Sequence, residues 1–313
     1  NVGWEEGARE DVRPGLPRIY CWRQPKSLAE TPMKAVERLG SALESQYDKH
    51  RRGINLRLSL NPTIDELKDH IHRLRRAANT DKVLFHYCGH SCVNRERDNI
   101  TVPLPRPERN YFFVLSNKGT PVPFSIDDLL GLIGFPHILV FDCASAGSVL
   151  NHLTELMRKE EQAQSQRLRA SPSASDLSSL IRGDCFFLGA CAAGEALPSH
   201  PMLPNDLFTS CITTPIQMSI LWFIIQHQQY SAIHPMISHC IPGMLEDRKT
   251  PLGELKWIFV AITDCIAWST VSQDLFFRLF RQDLFLVALF RGFLLAERIG
   301  VNLGCTPQSF PRI

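Results

Sequence analysis

The 313-residue sequence lacks a strong charge of either sign, because 34 Lys and Arg residues balance 32 Asp and Glu for a formal net charge of +2. So weak a charge argues against nucleic acid or an acidic surface as the main partner. A CxxC motif is also lacking: the ten cysteines are irregularly spaced, and several lie in apolar runs, where free cysteine packs as a small hydrophobe. This usage favours a reducing compartment over a disulfide framework. We therefore expect a cytoplasmic protein without structural disulfides.

Long apolar runs are missing too. Residues 207–245 contain no Asp, Glu, Lys or Arg, but three prolines interrupt them, and the longest clean run is only 220–225. A transmembrane helix needs about 20 consecutive apolar residues, so we expect no direct insertion into a membrane. The sequence begins with Asn1 rather than Met, so we expect a fragment, and the lack of a targeting peptide excludes nothing.

Apolar periodicity predicts strands and helices that alternate through the first two-thirds of the chain. The predicted strands are 18–22, 54–60, 82–87, 111–115, 136–142 and 185–191. The predicted helices are 27–48, a helix capped by Asn61 with Pro62 at its first position, 126–133, and about 147–169. Ser125 and Asp128 resemble a capping box for the helix at 126–133. Strands that alternate with helices imply an α/β fold with a mostly parallel sheet and helices on both faces.

After residue 205 the pattern changes to helices only. Thr250 and Pro251 are predicted to open one of them, with Leu255, Phe259, Ile262 and Ile266 on one side. The last helices, about 273–300, are apolar on most sides, which is typical of helices buried against something else. We expect these helices to expose too much apolar surface and to make this segment self-associate.

Three segments follow from these patterns. Residues 1–16 are polar with glycine and proline and are predicted to be a flexible N-terminal segment. Residues 17–204 are predicted to form the α/β domain, and residues 205–313 a helical extension that leads toward helical repeats. The serine-rich residues 170–182 are predicted to be a surface loop.

Cysteine and histidine follow two of the predicted strands, in VLFHYCGH (83–90) and ILVFDCASAG (138–147). Sites of open α/β sheets lie at the carboxyl ends of the strands. Caspase-type peptidases place a cysteine after one strand and a histidine about 50 residues upstream, and here His90 precedes Cys143 by 53 residues. In such an enzyme Cys143 is the thiolate nucleophile, His90 is the base, and backbone N–H groups hold the oxyanion.

The residues around the cysteine weaken this enzyme hypothesis. Relatives of the caspases end the strand in D-S-C-x-S-G, and this pattern laid on residues 142–147 matches the aspartate and the glycine. The nucleophile position then falls on Ala144, which has no reactive group. The alternative interpretation makes Cys143 a buried structural thiol and His90 a hydrogen-bonded histidine at a strand end.

A metal site is a further alternative at the first strand. His86, Cys88, His90 and Cys92 alternate along the sequence, so an extended chain would place all four on one face. No second cluster of ligands supports a metal, and His86 alone is typical of a core residue within the strand. We expect neither a metal nor another cofactor.

Several stretches resemble the Raptor family. VLFHYCGH is similar to the family's V-L-F-H-Y-N-G-H-G, with Cys88 in place of Asn and Ser91 in place of Gly, and FDCASAG is similar to Y-D-C-S-N-A-G. The longest similar stretches come later: LPNDLFTSCITTPI (203–216), DRKTPLGELKWIFVAITDCIAW (247–268) and LFRQDLFLVALFRGFLLAERI (279–299). The resemblance covers nearly the whole chain from about residue 17.

The resemblance implies a non-catalytic caspase-like fold within a scaffold subunit of target-of-rapamycin (TOR) complex 1. Such a subunit presents Rag GTPases, and substrates with a short TOR-signalling motif, to the TOR kinase in nutrient signalling. It is cytoplasmic and is recruited to the lysosomal or vacuolar surface. In the family a serine follows Asp-Cys, at the position of Ala144, so the degenerate dyad positions are His90, Cys143 and Ala144. An active caspase-like Cys/His peptidase remains the alternative function.

The sequence departs from the family pattern directly after the first motif. Ten residues, CVNRERDNIT (92–101), separate Ser91 from Val102 and Pro103, where the family continues without a break. They are polar, so we expect an exposed and poorly ordered loop. Without them the separation of His90 from Cys143 would be 43 residues.

Overall fold

The computed structural model describes residues 55–89, 110–116, 120–170, 185–204, 206–227 and 237–313, with some helical residues between 37 and 48. The predictions for residues 1–16, 18–22, 92–101 and 171–182 therefore lie outside the described residues. The chain divides into two compact units. One consists of Arg57–Leu197 and Cys305–Arg312, and the other of Pro198–Gly304 and residues before Arg57. The predicted domain boundaries at residues 17 and 205 stay predictions.

A four-stranded sheet with strand order β1-β4-β5-β6 organises the first unit. Strands β1, β4 and β5 are parallel, and β6 joins β5 antiparallel, while β2 and β3 form a separate antiparallel pair. The elements are α1 (Ile64–Ala78), β1 (Val83–Cys88), β2 (Tyr111–Leu115), β3 (Pro121–Ser125), α2 (Ile126–Ile133), β4 (His137–Asp142), α3 (Gly147–Ala170), β5 (Cys185–Gly189) and β6 (Gln308–Phe310). The mostly parallel α/β sheet and the adjacency of the strands predicted at 82–87 and 136–142 are confirmed.

The core of this unit is built around β4, in which all six residues are buried. A strand of a parallel sheet reads as one continuous apolar run because both of its faces are covered. Phe112 of β2 packs edge-on against Tyr87, Phe124 and Phe141, with ring centroids 5.0 to 5.9 Å apart. Each such aromatic contributes about 1.5–3 kcal/mol by burial, so this cluster fixes β1 and β4 to the β2–β3 pair.

The start of α1 differs from the prediction. The helix is capped by Thr63 rather than Asn61, and residues 55–60 of the predicted strand are not in a strand. The Glu66 N–H donates to Thr63 Oγ1 (3.3 Å), and the Thr63 N–H donates to Glu66 Oε2 (2.9 Å). This reciprocal capping box satisfies two orphan donors at once, whereas Asn61 lies in a left-handed turn with φ of 49°. The inward positions Leu67 and Ile71 are confirmed as buried.

Helices make up the second unit: α4 (Leu207–Thr213), α5 (Pro215–Gln226), α6 (Ile237–Cys240), α7 (Pro251–Thr270), α8 (Gln273–Phe280) and α9 (Leu284–Asn302). Helix α9 is central and contacts α4, α5, α7 and α8. Its Gly292 lets α4 approach closely, because an added Cβ would lie 2.6 Å from the Cα of Ile212. Tyr47 also packs on α9, with its ring centroid 5.9 Å from that of Phe285.

The expectation that the last helices expose too much apolar surface was wrong, whereas the expected self-association stays a prediction. Helix α9 buries most of its apolar side chains within its own unit, among them Phe290 and Phe293. Helix α7 begins at Thr250 and Pro251 as predicted, and Ile262 and Ile266 of its apolar side are 54% and 41% exposed. The buried residues of α7 are small, namely Gly253, Thr263 and Ala267. Helix α7 thus carries a large share of the exposed apolar side chains, including Trp257, Ile258 and Trp268, while Leu284 at the start of α9 is exposed as well.

Among the described residues, no helix combines the length and the apolar character that crossing a membrane requires.

Candidate functional site

The carboxyl ends of β1 and β4 bring the two sequence motifs together. Cys88 lies opposite Asp142 in the register of these parallel strands, and His86 lies opposite Val140. The Gly89 N–H donates to the carbonyl oxygen of Asp142 (3.3 Å), which extends the ladder past the end of β1. His90 and Cys92 lie outside the described residues, so the predicted proximity of His90 to Cys143 stays a prediction.

Cys143 lies at the end of β4 and is fully buried. Its side chain belongs to the apolar core that includes Phe141, Ala146 and Val149. Ala144, the next residue, keeps part of its surface exposed. The thiol therefore faces the core, and a methyl group occupies the neighbouring position that reaches solvent.

The turn after Cys143 is held in a shape that few residues adopt. Ser145 has a positive φ of 55°, which is uncommon for a residue with a side chain. Gly147 starts α3 in a crowded position, where a Cβ would lie 2.6 Å from the backbone nitrogen of Ala193 and 2.5 Å from Gln308 Oε1. Only glycine fits there, which explains why a glycine ends the motif.

His86 and Cys88 share one face of β1, with Nε2 3.4 Å from Sγ. The side chain of His86 keeps some exposed surface, but burial of the ring lowers its pKa to about 3. The imidazole is therefore neutral at physiological pH, when it can donate or accept a hydrogen bond but holds no charge. Among the described residues, no group of three or more His, Cys, Asp or Glu side chains is arranged to hold a metal ion.

This geometry can do little of the chemistry that a cysteine peptidase needs. A nucleophilic thiolate must reach the substrate and stand within about 3 Å of a base. Cys143 has no exposed surface and is enclosed by apolar side chains, so a substrate cannot reach its sulfur in this conformation. Neither Ala144 nor the neutral His86 can replace it as a nucleophile.

Comparison with known proteins gives a consistent result along the chain. The family described as "Raptor N-terminal CASPase like domain" matches residues 8–153. "Target of rapamycin complex 1 subunit mip1" of Schizosaccharomyces pombe is 40% identical over 304 residues, which cover 96% of this chain and 22% of that protein. "Regulatory-associated protein of TOR 2" of Oryza sativa subsp. japonica is 41% identical over 296 residues, covering 94% of this chain and 20% of that protein.

A solved structure matches as well. The crystal structure of Chaetomium thermophilum Raptor superposes with a TM-score of 0.75 at 39% identity, over 95% of this chain and 26% of that one. The chain belongs to the Raptor family. It spans about one fifth of the length of the curated Raptor-family relatives that it matches.

The Raptor-family domain match ends at residue 153 and so includes the ends of both β1 and β4. The two stretches that resemble the Raptor family, VLFHYCGH and FDCASAG, therefore meet at the carboxyl edge of the sheet, as the sequence pattern predicts. The roles of His90, Cys143 and Ala144 as degenerate positions stay predictions for this Raptor-family chain.

One residue at this edge of the sheet, Glu195, is not predicted from the sequence. Glu195 follows β5 and accepts hydrogen bonds at Oε2 from the N–H groups of Ala192 (2.9 Å) and Thr306 (2.8 Å), and at Oε1 from Thr306 Oγ1 (2.9 Å). Burial raises the pKa of Glu195, but these hydrogen bonds outweigh burial and the pKa is lowered. The carboxylate is thus ionised and joins two segments that are far apart in sequence.

The same loop also holds the turn after β4. The Ser145 N–H donates to the Glu195 carbonyl (2.8 Å), the Gly194 N–H donates to Ser145 Oγ (3.2 Å), and the Gly147 N–H donates to the Cys191 carbonyl (2.9 Å). No local sequence pattern marks a lone glutamate in a polar loop as a partner of residues 50 and 111 positions away, so no signal in the sequence could have identified it. In this Raptor-family chain the turn is therefore shaped by structural contacts.

Proposed function

We propose that this chain is the N-terminal part of a non-catalytic scaffold subunit of TOR complex 1. The observation that carries the proposal is the similarity over 96% of the chain to a protein named as a subunit of that complex. The similarity to "Target of rapamycin complex 1 subunit KOG1" of Saccharomyces cerevisiae, at 34% identity over 95% of the chain, supports it.

The buried thiol supports the non-catalytic part of the proposal. Cys143 has no exposed surface and contacts apolar side chains. The partly exposed Ala144 offers no nucleophile. A scaffold needs the shape of the sheet but no reactive thiolate, so the loss of the nucleophile removes nothing that this function requires.

The partners follow from the Raptor family. We propose that the TOR kinase binds the full-length protein, which presents Rag GTPases and substrates with a TOR-signalling motif to the kinase. The place of action is then the cytoplasm, with recruitment to the lysosomal or vacuolar surface. Nucleic acid and a metal have no part in this proposal.

The test is affinity purification of the tagged full-length protein from its source cell. The TOR kinase should be recovered with the wild type and equally with Cys143→Ser, whose effect should be confined to the apolar core. Beads with a TOR-signalling peptide should retain the full-length protein, and a peptide with its phenylalanine changed to alanine should not.

A peptidase would give the opposite pattern. Purified protein would cleave members of a peptide library, Cys143→Ala would abolish the cleavage, and no TOR kinase would be recovered. Turnover of this kind, or failure to recover the kinase under conditions that preserve the complex, would overturn the scaffold proposal.

A further inference from the structure

Two cysteines outside the motif region come together at the edge of the sheet. Cys191 follows β5 by two residues, and Cys305 precedes β6 by three. Gly189 lies opposite Gln308 in the antiparallel register of these strands, so the register continued by two residues places Cys191 opposite Thr306, the neighbour of Cys305. Paired strands lie about 4.7–4.9 Å apart, and disulfides span Cα separations of about 4.4–6.8 Å.

The side-chain contacts agree with this placement. Cys305 Sγ donates to the carbonyl oxygen of Ala190 (3.3 Å), the residue directly before Cys191. Cys191 Sγ donates to the carbonyl oxygen of Cys143 (3.3 Å). Each thiol also shifts the pKa of the other, so the single Cys305 proton, which points at the Ala190 carbonyl in the dithiol form, turns to the Cys191 sulfur when that sulfur is ionised. Both side chains are buried and both sulfurs are in the free thiol form.

The contact makes the two thiols unequal. The hydrogen bond from Cys305 lowers the pKa of Cys191, because it stabilises the Cys191 thiolate. The same bond raises the pKa of Cys305, which has to keep its proton to donate. The thiolate is the reactive form of cysteine, so Cys191 is the member of the pair that reacts first.

We propose that Cys191 and Cys305 are a modification site, a dithiol that peroxide oxidises to an intramolecular disulfide. The Cys191 thiolate attacks one peroxide oxygen, the O–O bond breaks, and the second oxygen leaves as hydroxide, which gives the sulfenic acid. Cys305 sulfur then attacks the Cys191 sulfur, the S–O bond breaks, and the thiol proton leaves with that oxygen as water. Two thiols lose two electrons in total, and the peroxide is reduced to two molecules of water.

Peroxide reaches the buried pair through local opening. Strand β6 has only three residues and stands last in the strand order of its sheet, and short terminal elements open at a lower free energy than the core of a domain. The disulfide would then close a loop of the residues from 192 to 304. A crosslink that closes so long a loop restrains the unfolded chain strongly, so oxidation should fasten β6 to β5 and raise the melting temperature.

The experiment uses the full 313-residue chain with the exposed cysteines removed, Cys240→Ser and Cys265→Ser, to prevent crosslinks between molecules. Reduced protein is treated with graded hydrogen peroxide, blocked with N-ethylmaleimide under denaturing conditions, digested without reductant and analysed by mass spectrometry. We expect the loss of two hydrogen atoms from the intact mass, one crosslinked peptide that contains Cys191 and Cys305, and a higher melting temperature that dithiothreitol reverses.

Single substitutions in the same background separate the two roles. Cys305→Ser should leave Cys191 as a sulfenic acid that dimedone traps, and should abolish the rise in melting temperature. Cys191→Ser should leave Cys305 unmodified. Two results with the background protein, which keeps both cysteines, would overturn the proposal whether or not the variants fold. One is that both cysteines remain free thiols after oxidation, and the other is a disulfide from either of them to Cys21, Cys92 or Cys143.

Discussion

Asp264 offers a sharp test of what holds the helical unit together. Its Oδ1 accepts from Arg291 Nε (3.0 Å) and Nη2 (2.8 Å), and its Oδ2 accepts from Arg281 Nη1 (3.1 Å). The carboxylate of α7 thus joins α9 and the residue that ends α8. The Asp264 and Arg291 side chains are only 18% and 16% exposed, whereas Arg281 is 49% exposed.

The burial of the partners sets the expected magnitude. Breaking a buried ion pair by removing one partner costs about 3–5 kcal/mol, because the other charge is left uncompensated, while an exposed pair contributes about 0–1 kcal/mol. The Asp264–Arg291 pair lies between these limits but closer to the buried one. Asp264→Ala should therefore lower the free energy of unfolding by about 3 kcal/mol, and Arg281→Ala by less than about 1 kcal/mol.

Urea denaturation is the assay, followed by tryptophan fluorescence. Trp268 reports on this unit, since its ring packs edge-on against Phe276 with centroids 5.1 Å apart. A double-mutant cycle of Asp264→Ala and Arg291→Met should give a coupling energy of about 2 kcal/mol. The matched control is Glu246→Ala in the same unit, which breaks an exposed pair with Lys256 of α7 and should cost less than about 0.5 kcal/mol.

Two results would refute this reasoning. One is an Asp264→Ala variant no less stable than Glu246→Ala, which would mean that the buried carboxylate adds nothing beyond a surface charge. The other is a coupling energy near zero, which would show that the loss arises from Asp264 alone and that Arg291 finds other partners without cost.

The remaining predictions concern the α/β unit. Arg75→Lys should lower the free energy of unfolding in urea by about 1–2 kcal/mol. Arg75 donates to backbone carbonyls including those of Asn79 (2.6 Å) and Pro136 (3.1 Å), and lysine lacks the planar guanidinium that reaches several acceptors at once. An unchanged denaturation midpoint would contradict this. With the pKa of His86 lowered to about 3, the unfolded chain binds a proton between about pH 6.5 and 3 that the folded chain does not. Stability should fall as the pH drops through that window, by up to about 5 kcal/mol, and His86→Gln should flatten the curve. Deletion of 92–101 should leave the melting temperature equal or higher, and a large drop would show that the segment is integral. Iodoacetamide at neutral pH should alkylate native Cys143 slowly, and rapid selective labelling would argue for an activated thiol.

How far the sequence predicts the fold depends on the range of the interactions. Strands β1 and β4 and helix α2 carry their signals locally, in continuous apolar runs and in the cap at Ser125. Strand β3 was missed because prolines at 121 and 123 argue against a strand. The two prolines are separated by one residue, so both positions that lack an N–H group lie on the same side of the strand. The pairing of β3 with β2 is therefore kept. Strand β6 has three residues and finds its partner more than 100 residues away, which no local pattern encodes.

Helix α7 shows a different limit. Its apolar side chains surround most of the helix, so periodicity groups Leu255, Phe259, Ile262 and Ile266 on one side but does not identify the buried side. The structure buries Gly253, Thr263 and Ala267 instead, because small residues allow neighbouring backbone to approach: a Cβ on Gly253 would lie 1.9 Å from the carbonyl oxygen of Asp247. Shape complementarity therefore determines which side of α7 is buried, and this cannot be predicted from hydrophobicity alone.

The shape of the turn after β4 does not depend on the side chain at position 144. Its shape depends on the backbone of Ser145 and Gly147, which is held by hydrogen bonds to the loop around Glu195, and on the absence of a side chain at Gly147. None of these contacts involves the side chain of Ala144. The geometry of the turn and the side chain at its partly exposed position are therefore independent. Ala144→Cys should accordingly leave the fold intact, since only a methyl group is replaced at a partly exposed position.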